Sequence, residues 1–307
     1  MKAFNRLDLK NQMVTFKGFP NSRGKQLLWD LAKKSYQRIY PQVPYLHLEF
    51  IRASGSISKL KEKLSDLSSI RFQIVNSYYD YSKYRGHWYV DFANQHLGGG
   101  VFSEGFVQEE KMCFVFPELM MIFDQIRTNG SNTIDPNIPI YEDRTGAVLV
   151  TNLMKALVSE GTDQMDDFYG NIDNLIYLTP TGNLSETYVR PVNSSTYINV
   201  IAIDAKCLPY NQTILPIPTI ITYITKAFNG FSSAKRYDMD YGIGNTIIHS
   251  GAWGCGAFNN ELYIMLAVQV IAAMMAGVEI VFYLKGEVIE GKVKDRINEI
   301  IKAILTI

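Results

Sequence analysis

Short apolar segments rich in β-branched residues alternate with helical segments along most of this chain. The strand-like segments are His87 to Phe92, Asn174 to Leu178, Ile198 to Ile203 and Val278 to Leu284. The helical segments are Pro117 to Arg127, Ile217 to Phe228, Asn260 to Ala276 and Lys292 to Leu305. Near-continuous apolar runs are typical of strands covered on both faces. The alternation predicts an α/β fold with a mixed or largely parallel sheet flanked by helices, and functional residues on loops at strand ends.

Two regions depart from this alternation. The first 85 residues predict a short, mainly helical accessory region, with helices over Gly24 to Tyr40 and Ile57 to Leu67, the second capped by Ser56. Residues 129–173 are rich in Asn, Asp, Gly and Thr, and we expect an insertion there with one short helix near Asn152 to Val158. A plain surface insertion, a substrate lid and a partner-docking surface are open interpretations. Residues 86–307 are then the main domain.

Charge and metal-binding residues narrow the class of function. Lys+Arg and Asp+Glu both number 30, and this balance argues against direct nucleic-acid binding. No Cys-x-x-Cys pair and no His-x-x-x-His spacing occurs, so we expect no metal and no disulfide framework. The residues concerned are Cys113, Cys207, Cys255, His47, His87, His96 and His249.

The sequence also favours a protein that stays in a reducing, intracellular compartment. Its first residues lack the pattern of a signal peptide, and its cysteine number is odd. The segment Leu262 to Ala276 is apolar nearly all round, but it is too short to span a bilayer and contains Gln269. We therefore expect a buried helix there, no membrane partner and a monomer in the cytoplasm or nucleus. Delivery into a host cell as an effector stays open.

Three consecutive glycines, Gly98, Gly99 and Gly100, follow the strand-like segment that ends near residue 92. Glycine adopts positive φ without strain and leaves successive backbone N–H groups uncovered. Such a turn suits the close approach of a sugar or a phosphate. A simple tight turn is the alternative interpretation.

A second glycine-rich segment, GAWGCGAFNN, covers Gly251 to Asn260 and precedes the apolar helix. Gly254 and Gly256 loosen its backbone, and Asn259 or Asn260 can cap the helix. A helix N-terminus behind a glycine-rich loop is a frequent anion site, and a diphosphate is the natural anion here.

Two adjacent glutamates, Glu109 and Glu110, follow the first loop. Solvated surface charges are the usual explanation of such a pair, but apolar residues flank these two on both sides. Burial and a like-charged neighbour both raise the pKa of a carboxyl group. A glutamate that stays protonated near neutral pH is the usual general acid for breaking a glycosidic bond, and two carboxyls in different environments can take different roles.

The spacing GGG, seven residues, QEE resembles the signature of poly(ADP-ribose) glycohydrolases, whose catalytic domain is a macrodomain. The resemblance covers VDFANQHLGGGVFSEGFVQEEKMCFVFPEL at 90–119, VIAIDA at 200–205, AWGCGAF at 252–258 and EIVFYLKGE at 279–287. It implies a macrodomain-like mixed sheet flanked by helices. It is weak over the first 85 residues and absent over 129–173.

The resemblance also implies roles for individual residues. Glu110 is expected to act as the catalytic acid and then to activate a water, while Glu109 holds a ribose hydroxyl. Further residues expected to bind ADP-ribose are Asp91, Asn94, Gly98, Gly99, Gly100, Gln108, Gly251, Trp253, Gly254, Cys255, Gly256, Ala257 and Phe258. For Asp91, capping of the loop through backbone hydrogen bonds is an equal alternative. Trp253 and Phe258 are single aromatics, which are more often core residues than pocket walls. No cofactor and no metal are implied.

The sequence departs from the family at two aromatic positions. No tyrosine aligns cleanly with the family's tyrosine over the diphosphate, and Tyr188 is only a candidate. The aromatic that stacks on adenine in the family corresponds to Lys285. The tyrosine-rich segment Asn76 to Tyr89 can supply another platform, or its tyrosines can simply pack a hairpin.

These observations predict an ADP-ribosyl glycohydrolase that cleaves the ribose–ribose O-glycosidic bonds of poly(ADP-ribose). Its partner is then the polymer or an ADP-ribosylated protein as substrate. The changed aromatic positions keep a mono-ADP-ribosyl-protein hydrolase open as an alternative. A non-catalytic ADP-ribose reader, and a regulatory protein that docks a partner through residues 129–173, are the non-enzymatic alternatives.

Overall fold

The computed structural model of the chain describes residues 2–19, 21–39, 44–51, 61–62, 64, 71–103, 105–128, 146–158, 172–173, 189–210, 215–286 and 288–307. Several predictions fall outside these residues. They are the cap at Ser56, the strand Asn174 to Leu178, the candidate Tyr188, and most of the helix Ile57 to Leu67 and of the segment 129–173.

Eight strands form one mixed sheet. They are β1 Lys2–Asn5, β2 Tyr45–Ile51, β3 Gln73–Val75, β4 His87–Ala93, β5 Ala147–Met154, β8 Tyr197–Asp204, β9 Ile247–Ser250 and β10 Glu279–Tyr283. A two-stranded sheet pairs β6 Leu157–Val158 with β7 Arg190–Pro191. The large sheet has the order β1-β2-β5-β8-β4-β9-β10-β3. From β8 to β3 every pairing is parallel, whereas β1, β2, β5 and β8 pair antiparallel.

Helices cover both faces of this sheet. They are α1 Arg6–Thr15, α2 Arg23–Arg38, α3 Gln108–Val115, α4 Pro117–Thr128, α5 Ile217–Asp240, α6 Leu262–Ala276 and α7 Glu290–Leu305. Side chains alternate between the faces along a strand, so Tyr89 packs in the core under α1 to α4 while Trp88 and Val90 pack in the core under α5 to α7. The predicted α/β class, with a mixed sheet flanked by helices, is confirmed.

Two helices refine the sequence predictions. Helix α6 is buried nearly all round, as predicted, and no helix among the described residues is long and apolar enough to cross a membrane. Helix α5 continues to Asp240, well past the predicted end at Phe228. Gly230 lies inside it, where a Cβ would stand 2.7 Å from Cγ2 of Ile201 on β8, so the glycine permits close packing and does not end the helix.

The predicted short helix near Asn152 to Val158 is wrong. Residues 147–154 form β5 in the middle of the sheet, between β2 and β8, and all eight are buried. The polar pair that interrupts the apolar run lies in a register shift between Val150 and Leu153, where Asn152 takes a φ of 63°. Its N–H donates to Oδ1 of Asn199 at 3.1 Å, and its carbonyl accepts from Arg6. A bulge with its own hydrogen bonds thus keeps polar residues in a central strand.

The first 85 residues contribute strands as well as helices. β1, β2 and β3 all belong to the large sheet, so the sheet crosses the predicted boundary at residue 85. A buried ion pair joins Arg6 of α1 to Glu118 of α4, with Nε and Oε1 2.6 Å apart. The same carboxylate accepts from the Tyr36 hydroxyl of α2 at 2.6 Å and from the backbone N–H of Met154 at 2.8 Å. The boundary itself remains a prediction.

Candidate active site

One cavity of about 680 Å³ opens at the carboxyl edge of the parallel strands. Its walls come mainly from the segments after β4, β9 and β10. The predicted site residues that line it are Asn94, Gly99, Gln108, Glu109, Glu110, Trp253, Gly254, Gly256, Ala257 and Phe258. Those that do not line it are Asp91, Gly98, Gly100, Gly251 and Cys255. The two glycine-rich loops therefore share one cavity, as predicted.

Glu110 lies in the first turn of α3 and is only 4 % exposed. Its carboxylate reaches back to accept the backbone N–H of Val107, the residue that precedes the helix, and that of Gly100 at 2.7 Å. A Cβ on Gly100 or Gly105 would stand 2.7 or 2.6 Å from Oε1 of Glu110. Glycine at these two positions is what lets the carboxylate lie against the loop.

Glu109 precedes Glu110 in the first turn of α3 and is 1 % exposed. Its two oxygens accept the N–H groups of Asn94 at 2.9 Å and Gly98 at 2.6 Å. Burial and the nearby carboxyl of Asp91 raise the pKa of Glu109 well above its ordinary value, although these hydrogen bonds oppose the shift.

The N–H groups of the glycine triplet face inward, which differs from the prediction that they meet a ligand. Gly98 and Gly100 donate to the two glutamates, and Gly99 donates to the carbonyl of His96 at 3.0 Å. Positive φ occurs at Gly98 (91°) and Gly99 (47°). The triplet therefore serves to bring backbone donors onto Glu109 and Glu110, and only Gly99 of the three lines the cavity.

Asp91 lies beneath the glutamates on β4 and is fully buried. Neither of its carboxyl oxygens has a hydrogen-bond partner among the described residues, so the alternative that it caps the loop is wrong. Burial and the adjacent Glu110 raise the pKa of Asp91 to about 8. A neutral Asp91 can lie beside two other carboxyls without a third negative charge.

Gln108 and Asn94 contact backbone as well as lining the cavity. Strand β9 pairs with β4 only as far as Tyr89, and the Gln108 side chain continues that edge. It accepts the N–H of Phe92 at 2.9 Å and donates to the carbonyl of Val90 at 3.3 Å. Asn94 accepts the N–H of His96 at 2.9 Å. Both side chains therefore hold the strand end and loop that carry the site.

The second glycine-rich loop is fixed by Asn260. Its Nδ2 donates to the carbonyls of Lys206 and Gly254, both at 2.9 Å, and to Phe258 at 3.2 Å. Trp253 is fully buried and its Nε1 donates to the carbonyl of Ile203 at 3.0 Å, so it belongs to the core. Phe258 is only partly buried and lines the cavity.

The predicted helix cap at Asn259 or Asn260 is wrong. Glu261 caps α6, accepting the N–H groups of Tyr263 at 3.1 Å and Ile264 at 2.7 Å. A carboxylate therefore already occupies the helix N-terminus that we expected to bind an anion. The loop itself keeps donors: the N–H groups of Gly254, Gly256 and Phe258 have no hydrogen-bond partner among the described residues. All three residues line the cavity, and such successive donors suit an anion.

The far end of the cavity is aromatic. Tyr78, Tyr283 and Lys285 line it, and Nζ of Lys285 lies 5.0 Å from the centre of the Tyr78 ring. Tyr283 contacts Nδ1 of His249 at 3.0 Å. The sequence analysis missed Tyr283, although its place at the end of a parallel strand could have indicated it. Tyr79 and Tyr81 are buried and also line the cavity. The hairpin interpretation of this segment is wrong, because β9 and β10 lie between β4 and β3 in the sheet.

No group of three or more His, Cys, Asp or Glu side chains within the described ranges is arranged to hold a metal ion. The cavity is lined by the Glu109 and Glu110 carboxyls, by residues of the second glycine-rich loop and by aromatic side chains.

The chain matches the family model described as poly(ADP-ribose) glycohydrolase (PARG), macro domain fold, at residues 57–131 and 145–289. It is 30% identical over 197 residues to poly(ADP-ribose) glycohydrolase 1 of Caenorhabditis elegans, a match that covers 61% of this chain and 22% of that protein. It is 28% identical over 194 residues to poly(ADP-ribose) glycohydrolase 2 of the same organism, over 60% of this chain and 34% of that protein. The chain thus spans well under half of the length of either relative.

Among solved structures, a poly(ADP-ribose) glycohydrolase from Thermomonospora curvata aligns with a TM-score of 0.43 and 13% identity, over 96% of this chain and 98% of that one. A likeness at that level does not bear on function. The family match covers most of the chain and includes both glycine-rich loops and both glutamates. This chain belongs to the poly(ADP-ribose) glycohydrolase family, with its macro domain fold.

Proposed function

We propose that the protein hydrolyses the O-glycosidic ribose–ribose bonds of poly(ADP-ribose) and releases ADP-ribose. One observation carries the proposal: two buried glutamates line the same cavity as Gly254, Gly256 and Phe258, whose N–H groups have no partner in the part of the chain that the structure describes. Both named relatives are poly(ADP-ribose) glycohydrolases, which supports the same substrate class.

The order of the strands fits the order of groups in the substrate. Neighbouring strands lie about 4.8 Å apart, and β4, β9 and β10 are consecutive neighbours. Their ends carry the glutamates, the N–H donors and the aromatic residues in that order. ADP-ribose presents a ribose, a diphosphate and an adenosine in the same order, so the cavity can hold it along the sheet edge.

In the proposed reaction, the Glu110 carboxyl gives its proton to the leaving ribose oxygen while the bond from that oxygen to the anomeric carbon breaks. The bond's electrons stay with the oxygen, and the remaining sugar becomes an oxocarbenium-like centre. Glu110 then takes a proton from a water whose oxygen attacks this carbon. One water is consumed for each ADP-ribose released, and Glu110 is restored to its starting form.

Glu109 holds the sugar in this account. Its carboxylate is anchored by two backbone N–H groups, so its remaining lone pairs can accept from ribose hydroxyls without any rearrangement. Asp91, on β4, lies next to both glutamates, and when it is protonated it adds no third negative charge to them.

Hydrolysis of a single protein-linked ADP-ribose is the second candidate. It is favoured by Lys285, which is exposed and lies over Tyr78 at the far end of the cavity, where the family resemblance leads us to expect an aromatic residue. We also propose that the enzyme is an intracellular monomer that binds neither nucleic acid nor membrane. Its described cysteines are free, which suits a reducing compartment.

Purified protein supplied separately with poly(ADP-ribose) and with mono-ADP-ribosylated protein tests the proposal. Chromatography of the products should show free ADP-ribose from the polymer at a rate well above that from the mono-modified protein. Release from the mono-modified substrate alone would favour the second candidate. Tight ADP-ribose binding with no release from either substrate would make the protein a reader.

A further inference from the structure

Lys25 is a fully buried lysine in the first turn of α2, outside the cavity. Its Nζ donates to three backbone carbonyls, those of Gly100 at 2.8 Å, Val101 at 3.1 Å and Ser103 at 2.6 Å. An ammonium carries three donors, and these three acceptors converge on it. The side chain therefore grips one short segment of the first glycine-rich loop.

The segment that Lys25 binds, residues 100–103, belongs to the loop that orients the two glutamates. The carbonyl of Gly100 accepts from Lys25, while its N–H donates to Oε1 of Glu110. Gly98, at the start of the same loop, donates to Glu109. A shift of this segment would move the N–H donors of both carboxylates.

The lysine is itself fixed from the N-terminal side. Ser22 caps α2 by accepting the N–H of Lys25 at 3.2 Å, and Asp173 accepts the N–H of Gly24 at 2.6 Å. Phe102 of the loop also packs against Phe19, with ring centres 6.5 Å apart. A cation in the first turn of a helix opposes the helix dipole. The three hydrogen bonds to the loop offset that unfavourable interaction.

The electrostatic surroundings of Cys113 reflect the same arrangement, with Lys25 near the acidic cluster. Burial raises the pKa of the Cys113 thiol well above its ordinary value, and Glu109, Asp91 and Glu110 raise it further. Lys25 acts on the same thiol in the opposite direction. The lysine and the three carboxyls therefore lie around one buried point on α3.

We propose that Lys25 is a positioning residue for the hydrolysis: it holds residues 98–103 where Gly98 and Gly100 can orient Glu109 and Glu110. The inference rests on the proposed function. It assigns a role in the site to a residue before position 57, where the family match begins. The N-terminal segment would then help to position the loop that orients the two glutamates.

The test compares Lys25→Met with Lys33→Met, the same change on a partly exposed lysine of the same helix that pairs with Asp30. We expect Lys25→Met to lower kcat on poly(ADP-ribose) by ~10-fold or more while the Kd for ADP-ribose changes less than about 3-fold, since misplacement of a reacting group acts on turnover. Lys33→Met should change neither. An unaltered kcat in Lys25→Met, or an equal loss of binding and turnover, would overturn the proposal.

Hydrogen exchange supplies a readout that does not depend on activity. Amides of residues 98–103 should exchange about 10-fold faster in Lys25→Met, while those of β4 keep their wild-type rates. If wild-type protein fails to cleave polymer, the proposed function fails, but this comparison still decides whether Lys25 holds the loop. Unchanged exchange would refute it.

Lys25→Gln keeps two donors and covers the case in which Lys25→Met does not fold. Faster loop exchange in a folded Lys25→Gln protein would support the proposal, and wild-type exchange would contradict it. Failure of both variants to fold would show a general structural role and would also overturn the positioning role.

Discussion

The two glycine-rich loops look alike in sequence and are used in opposite ways. Both follow neighbouring parallel strands and reach the same cavity. In the first loop, the N–H groups of Gly98 and Gly100 turn inward to the protein's own glutamates. In the second, those of Gly254 and Gly256 have no partner among the described residues. Under the proposed function, the first loop orients the catalytic acid and the second offers N–H donors to the diphosphate.

The reason for glycine also differs between the loops. A Cβ on Gly99 would stand 2.8 Å from Oε2 of Glu109, so a side chain there would compete with the carboxylate. Gly254 has a φ of 72°, and a Cβ there would stand 2.7 Å from that of Ala205. Both loops contain glycines with positive φ. In the first loop the missing side chain also makes room for a carboxylate, whereas in the second it makes room for a core side chain.

The largest expected effect comes from Glu110→Gln. An amide cannot donate the proton that the leaving oxygen needs, so kcat should fall at least ~100-fold, the scale of general-acid catalysis. The Kd for ADP-ribose should stay within a few fold. Glu299→Gln, the same change on an exposed residue of α7, is the matched control. Wild-type turnover in Glu110→Gln would contradict the proposal that the first loop orients Glu110 as the general acid.

A smaller loss of turnover is expected from Gly100→Ala. The new Cβ would meet Oε1 of Glu110 at 2.7 Å, so the carboxylate must shift by several tenths of an ångström. We expect kcat to fall by about 30-fold, less than the ~100-fold loss that a 1 Å misplacement causes. Gly244→Ala is the control, because a Cβ there meets nothing within 4 Å. Steady-state kinetics and ADP-ribose titration should show a kcat effect without matching loss of affinity.

Gly254→Ala should show the reverse pattern. Displacement of the second loop weakens its hydrogen bonds to the diphosphate, so Kd for ADP-ribose should rise by about 10-fold. The kcat should change less than about 3-fold. Gly242→Ala shares the positive φ, at 71°, but has open space around it and isolates the cost of backbone strain. A fall in kcat with unchanged Kd would contradict the proposal that the first loop serves turnover and the second serves binding of the diphosphate.

The smallest effect concerns the carboxyl below the first loop. Asp91 has a pKa of about 8 in the folded protein and about 4 when unfolded, so the folded state binds the extra proton between these values. Its contribution to stability is complete below about pH 4 and is lost as pH rises toward 8. Urea unfolding of wild type and Asp91→Asn at pH 5 and pH 7 measures the difference in pH dependence that this titration causes.

In that experiment, the wild type should lose more free energy of unfolding on going from pH 5 to pH 7 than the variant does. The same change at Asp240, an exposed residue at the end of α5, should leave the wild-type dependence intact. Identical profiles for Asp91→Asn and wild type would mean that Asp91 carries no raised pKa.

The sequence predicted elements with a clear hydrophobic pattern and missed those defined by long-range contacts. Strands β4, β8 and β10 and helices α4 and α7 lie where the apolar periodicity put them. Strand β5 was assigned to the predicted insertion at residues 129–173. The polar residues Thr151 and Asn152 interrupt its apolar run, and such an interruption usually marks the end of a strand. The bulge at Asn152 is satisfied by Arg6 and Asn199, which no local pattern reveals.

The same limit applies to the site. Burial of Glu109 and Glu110 could be predicted, because apolar residues flank them in sequence. Which N–H groups each carboxylate accepts depends on how the loop folds back across α3, and the spacing alone does not contain that information. Lys25 carried only a weak signal, a cation in the first turn of a helix, and its contact with the loop 75 residues later is a property of the fold.

A crystal structure with ADP-ribose bound would show whether the two loops divide the substrate between them. We expect the anomeric carbon of the ribose beside the Glu110 carboxyl, and diphosphate oxygens at about 3 Å from N–H groups of residues 254–258. A diphosphate that lies on residues 98–100, or a ribose that contacts neither glutamate, would contradict it.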